Sequence, residues 1–135
     1  KVAYGFLGAA GDLALKGLRL KVRTDFAVIA LSSLSDAPLA ESDNILLTAV
    51  GRADNTGARY NADHTVQFDL GHGPIQVQVI EAELALETRV AGLKISAVNS
   101  HGLLVGPVPE TYADGVLRFT LGGPYASMYY LIQKA

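Results

Sequence analysis

The apolar run Ile45 to Val50 is followed at once by Arg52, Asp54, Asn55, Arg59, Tyr60 and Asn61, with Asp63 and His64 just beyond. Guanidinium, carboxylate and amide groups beside an aromatic ring suit a sugar. The C–H-rich face of the sugar stacks on the ring, and polar side chains take its hydroxyls. Tyr112, just before the Asp114-Gly115 pair, is a second aromatic candidate. The set expected to touch a glycan is therefore Arg52, Asn55, Arg59, Tyr60, Asn61 and Tyr112. The same stretch has two other readings. Asp54 or Asp63 beside His64 would be the acid–imidazole pair of a small hydrolase. Alternatively, Asn, Asp and Gly simply close a turn through Asx hydrogen bonds and left-handed backbone.

Other chemistry finds less support. Ser32, Ser33, Ser35 and Ser42 are possible nucleophiles by type, but no G-x-S-x-G elbow surrounds any of them. His64, His72 and His101 are far apart and form no H-x-H or H-E-x-x-H pair, so a zinc site has no motif. GHGP and GGP lack the following helix that a phosphate cradle needs. Hard oxygen ligands do gather in two loops, with Asp36, Glu41 and Asp43 in the first and Asp63 in the second. They are weak candidates for calcium, and they do not follow the EF-hand spacing. No catalytic residue and no cofactor are assigned from motifs.

The elements that would position these groups are strands. In GLRLKVRT, Leu18, Leu20 and Val22 alternate with Arg19, Lys21 and Arg23, so the basic stripe is the wet face of a strand. In PIQVQVIEAEL, Ile75, Val77 and Val79 alternate with Gln76 and Gln78, which predicts a strand with Ile75, Val77 and Val79 in the core. In GVLRFTLGG, Val116, Arg118 and Thr120 oppose Leu117, Phe119 and Leu121. Phe26–Leu31 and Asn44–Val50 are apolar on both faces, as in central strands or strands hidden by a partner domain. Glu81–Val90 has helix-forming residues, yet it continues the alternation begun at Ile75 and is read as strand. Asp114-Gly115 predicts a tight hairpin turn. Tyr129 and Tyr130, if both lie in a strand, point to opposite faces.

Regular turn signals between short alternating runs predict an all-β fold of roughly eight to ten strands. The natural arrangement is a two-sheet antiparallel β-sandwich, jelly-roll or Ig-like, because each sheet must bury its apolar face. Residues 1–135 suffice for one such domain. Half of the residues are hydrophobic and 18% are charged. The formal charge of -2 gives no general attraction to nucleic acid or to an anionic membrane. With no cysteine, disulfides and thiolate metal sites are excluded, and the redox compartment stays open. The start at Lys1 suggests a chain processed or excised from something longer.

FAVIALSSLSDAPLAESDNILLTAVGRADNTG resembles the C-terminal β-sandwich accessory domain of (β/α)8-barrel glycoside hydrolases, a carbohydrate-binding-module-like unit. The likeness lies in Ser33, Leu34, Pro38, Leu39, Ser42, Ile45 to Arg52 and Asn55 to Gly57. It continues in V-P-x-x-Y-x-D-G-x-L-x-F, Val108 to Phe119, and in Tyr129-Tyr130-Leu131. The resemblance implies a non-catalytic module in polysaccharide degradation, secreted to an extracellular or periplasmic place. Its partners would be carbohydrate or the adjacent catalytic domain of the same polypeptide, and no catalytic residue of that family falls on this chain.

Overall fold

Alternation drives the fold, because a side-chain period of two turns one face of each strand inward and the other outward. The computed structural model describes residues 1–135 and contains two antiparallel sheets and a projecting arm. The first sheet has six strands in the order β1-β4-β5-β15-β11-β12. These are β1 (Val2–Gly5), β4 (Ala27–Ser33), β5 (Asn44–Val50), β11 (Leu93–Val98), β12 (Leu104–Val108) and β15 (Tyr129–Lys134). The second has five in the order β13-β14-β10-β3-β2. These are β2 (Asp12–Leu15), β3 (Leu18–Val22), β10 (Ala82–Glu87), β13 (Glu110–Ala113) and β14 (Val116–Leu121). Between β5 and β10 the chain leaves the sandwich as β6 (Ala53–Thr56), β7 (Arg59–Tyr60), β8 (Gln67–Asp69) and β9 (His72–Val77). One helical turn, α1 (Leu7–Ala10), and one 3-10 turn, Leu39–Glu41, complete the chain.

The two inner faces meet in a cluster of 23 buried residues. In the first sheet Leu31, Leu47, Tyr130 and Ala97 stand opposite one another across four strands. In the second, Leu20, Leu84 and Phe119 do the same across three. Each such Leu, Ile or Phe contributes about 1.5–3 kcal/mol by leaving water, so these rows fix the register. A slip of one residue would turn a whole row outward.

Most expectations for this body hold. The fold is all-β with two antiparallel sheets and no closed barrel. Glu81–Val90 supplies strand β10, not a helix, and Glu83 and Glu87 face water. Tyr130 is buried while its neighbour Tyr129 is half-buried, which puts them on opposite faces. Asp114 and Gly115 both take positive φ, 52° and 75°, which closes the β13–β14 hairpin in the left-handed pair of conformations the turn needs. The outer faces of β4 and β5 are half-buried, as their apolar composition requires.

Two expectations are corrected. The strands number fifteen, not roughly eight to ten, because the arm adds four and several edge strands are short. PIQVQVIEAEL is also not one strand with a single inward face. β9 ends at Val77 and β10 begins at Ala82. Ile75, Val77 and Val79 are 67%, 39% and 46% exposed, so they do not belong to the core. Their strand pairs only with β6, and no second layer lies against it.

The S-L-S-D-A-P-L-A-E-S connection between β4 and β5 is tied by hydroxyls. Ser33 Oγ donates to Ser42 Oγ at 2.9 Å, and Ser42 Oγ donates to the Asn44 carbonyl at 2.8 Å. Ser42 is fully buried, so these bonds satisfy a hydroxyl that would otherwise be costly. The serines therefore close a loop, and none of them hydrogen-bonds a histidine.

Candidate functional site on the arm

The arm begins where β5 runs out of apolar residues at Gly51-Arg52. Pairing of β6 with β9 sets Ala53 opposite Val77, Asp54 opposite Gln76 and Asn55 opposite Ile75. Register shifts follow at Asn55/Thr56 and again at Arg59/Tyr60, where β7 meets β8. Gly71 makes the first irregularity sterically feasible. Its φ is +67°, and a Cβ there would lie 2.5 Å from the Thr56 oxygen and 2.6 Å from the Ala58 nitrogen. Only glycine fits so close a backbone approach.

Strand alternation sorts the arm into two unlike faces. One carries Ala53, Asn55, Ile75, Val77 and, further along, Val79. The other carries Asp54 and Gln76 as a direct pair. Arg52 and Gln78 are their next neighbours, joined by a Gln78 N–H to Arg52 carbonyl bond of 2.8 Å. These four groups border a shallow depression of about 640 Å³. The side chains of Gln76 and Gln78 are exposed and make no hydrogen bond to protein. Arg52 approaches Asp25 at 3.7 Å, a loose and exposed ion pair that leaves its donors available.

Tyr60 extends this polar face toward the tip. Its hydroxyl donates to Asp54 Oδ1 at 2.5 Å, and its ring stacks on His64 with centroids 4.9 Å apart and planes 25° from parallel. His64 reaches that position from left-handed backbone, φ 57°. The hydrogen bond to Asp54 raises the Tyr60 pKa above its ordinary 10.0; partial burial and the Asp54 charge act in the same direction. The phenol thus stays protonated and holds the carboxylate in place.

The remaining sequence candidates fall elsewhere or are already engaged. Asn55 Nδ2 donates to the Leu70 carbonyl at 2.9 Å. Asn61 Nδ2 donates to Thr65 Oγ1 at 2.8 Å, while its Oδ1 accepts the Val66 N–H at 2.9 Å. Both amides therefore stitch the arm together, the turn-forming role. Arg59 is exposed and has no ion-pair partner. Tyr112 sits on edge strand β13 of the second sheet, where its hydroxyl donates to the Thr88 carbonyl at 3.1 Å. Gln76 and Gln78 were not among the expected site residues, although their alternation with Ile75, Val77 and Val79 was visible. The missing information was which of the two faces would be left open.

The acid–imidazole pair considered for hydrolysis is engaged elsewhere. Asp54 is bonded to Tyr60, Asp63 accepts from Thr65 at 3.0 Å, and neither carboxylate hydrogen-bonds His64. Asp36, Glu41, Asp43 and Asp63 are not brought together, for no three acid or imidazole groups cluster closely enough to hold a metal. Glu41 instead pairs with Arg89 at 2.7 Å. No helix is long and apolar enough to cross a membrane. The sequence matches no family model, and neither a curated protein nor a solved structure is significantly similar to it.

Proposed function

We propose that this chain is a non-catalytic accessory module of a polysaccharide-degrading enzyme, and that it binds glycan weakly on the polar face of its arm. The observation that carries the reading is the open block of Arg52, Asp54, Gln76 and Gln78 beside the Tyr60–His64 stack. Amides that both donate and accept, next to a guanidinium and a carboxylate, match the two-way hydrogen bonding of vicinal hydroxyls. The ring pair gives a sugar face an apolar surface. An exposed ribbon with a shallow depression encloses little of a ligand, so the affinity is weak. A role outside the cell or in the periplasm, where polysaccharide is found, accords with this reading.

Titration with oligosaccharides of the xylan, glucan, mannan and arabinan series, followed by amide chemical shifts, tests it. Shifts confined to residues 52–64 and 76–78 are expected at millimolar sugar. Gln76→Ala should weaken binding roughly five-fold, about 1 kcal/mol for a lost hydrogen bond. Silence across the whole series removes the proposal.

The opposite face supports a second reading, in which the arm packs on an adjacent catalytic domain of the same polypeptide. Ile75 and Val77 lie exposed on a two-stranded ribbon, with Val79 exposed just beyond it, an arrangement of marginal stability in water. In a polypeptide carrying both domains, β9 amides should exchange with solvent more slowly than in the isolated chain. Equal rates sink this reading.

A further inference from the structure

We infer that the outer face of the second sheet is a binding site for an acidic, uronate-bearing oligosaccharide, separate from the arm. Strand pairing writes two cross-strand rows on that face. One runs Ala14, Arg19, Ala85, Arg118, Thr111, and its neighbour runs Asp12, Lys21, Glu83, Thr120. Together they floor a trough of about 820 Å³, bordered at one end by Pro109 and Tyr125. Five strands at about 4.8 Å spacing give the trough a length on the order of 20 Å, enough for several sugar units in a line.

The charges of the trough look balanced until their partners are counted. Glu83 is taken by Arg23 at 2.6 Å, and Glu110 is taken by Lys94 at 2.6 Å. Neither Arg23 nor Lys94 lines the trough, so both acids are neutralised from outside it. Arg19, Lys21 and Arg118 form no ion pair and no side-chain hydrogen bond with any protein group. Asp12 is the one lining carboxylate without a cation on it. With Arg23 and Lys94 counted, five cations stand in and around the trough against the three carboxylates Asp12, Glu83 and Glu110, a local excess of positive charge on a chain whose net charge is -2.

Its shape and chemistry select the ligand. Arg19 and Arg118 flank Ala85 two strand spacings apart, about 10 Å, with a small side chain between them. A chain laid along the row therefore meets the two guanidiniums in turn, with room over Ala85 between them. Each guanidinium fork matches a planar carboxylate through two parallel hydrogen bonds. Thr111, Thr120 and Asp12 supply the partners that hydroxyls need. Nucleic acid fits less well: apart from Tyr125 at one end the trough has no exposed aromatic face on which a base could stack. Carboxylate at intervals with hydroxyl between is the chemistry of a polyuronate.

The probe is an α-1,4-linked hexagalacturonate, compared by calorimetry with the same hexamer fully methyl-esterified. The acid form should bind and the ester should not, and binding should weaken as salt is added. Arg19→Ala and Arg118→Ala should each cost about ten-fold, and the double variant about a hundred-fold. Arg118→Lys should also lose affinity, because it keeps the charge and loses the fork. Arg19 and Arg118 are both exposed, and an unaltered circular dichroism spectrum and melting temperature verify that each variant is folded. Gln76→Ala, on the arm, should leave hexagalacturonate binding unchanged. Equal binding of acid and ester, no binding of the acid form, or full affinity in the folded double variant would each overturn the inference.

Discussion

VLRFTL in β14 and PIQVQV, which runs from β9 two residues past its end, carry the same alternation, yet they end in opposite environments. Leu117, Phe119 and Leu121 are buried between two sheets, whereas Ile75, Val77 and Val79 lie open on a two-stranded arm. β14 has β10 on one side, β13 on the other, and a second sheet across its apolar face. β9 has one neighbour and nothing across. Period two therefore reports that a segment is extended and two-faced. Which face is covered is decided by layers contributed from distant parts of the chain. The same contrast explains why the polar face of the arm stays open: polar groups with no second layer above them remain reachable.

Substitutions at matched positions test that contrast most strongly. Leu47→Ala, in the core row, should cost about 2–5 kcal/mol of unfolding free energy in a denaturant melt. Ile75→Ala on the arm should stay within about 0.5 kcal/mol. Equal losses would mean that the arm is packed in solution and would break the comparison. Gly71→Ala comes next. It forces a Cβ against backbone at positive φ and should destabilise the arm by more than about 1 kcal/mol. Native-state hydrogen exchange should show faster exchange in β6 to β9, with the core of β5 and β15 unchanged. Acceleration throughout would tie the arm cooperatively to the sandwich.

The tyrosines sharpen the comparison at smaller amplitude. Tyr130 donates its hydroxyl to the Tyr125 carbonyl at 2.8 Å and accepts the Ser127 N–H at 3.1 Å. Tyr130→Phe should cost about 1 kcal/mol, while Tyr60→Phe should leave the melting temperature unchanged within error. Alkaline titration gives the smallest effect. Burial raises the Tyr130 pKa above 10.0, against the opposing pull of backbone hydrogen bonds at Gly122 and Ser127. A phenol whose pKa is higher folded than unfolded contributes stability fully below the unfolded value of 10.0, and that contribution is lost as pH rises through the folded one. Stability should thus fall above about pH 10, less steeply in Tyr130→Phe. For Tyr60→Phe the expected change is spectroscopic: one late-ionising tyrosinate disappears from the ultraviolet titration. If Tyr60 titrates like a free phenol instead, its bond to Asp54 does not persist in solution.

Much of the sandwich was legible because its signals are local. Leu18, Leu20 and Val22 against Arg19, Lys21 and Arg23 state a strand and its wet face within six residues. Asp114-Gly115 states its turn through the backbone that glycine and aspartate accept. The candidate site was legible in part. Arg52 and Tyr60 were expected to touch a glycan, Asp54 only to serve a hydrolase pair, and the three lie on one face of the arm. Asn55 and Asn61 look identical in sequence whether they bind hydroxyls or brace a bend, since one amide serves either purpose. Gln76 and Gln78 entered only through pairing with β6, across a long stretch of chain.

The sequence by itself determined the extended, two-faced segments, the glycine-dependent turns and the absence of cysteine chemistry, all of which follow from side-chain type and spacing along the chain. Tertiary structure alone decided that β9 projects from the sandwich, that Arg23 and Lys94 neutralise the acids beside Arg19 and Arg118, and that a trough opens there. Strand partners and ion-pair partners are chosen in space, where residues sixty positions apart, such as Arg23 and Glu83, come within 2.6 Å. Nothing in the local order of residues encodes that choice.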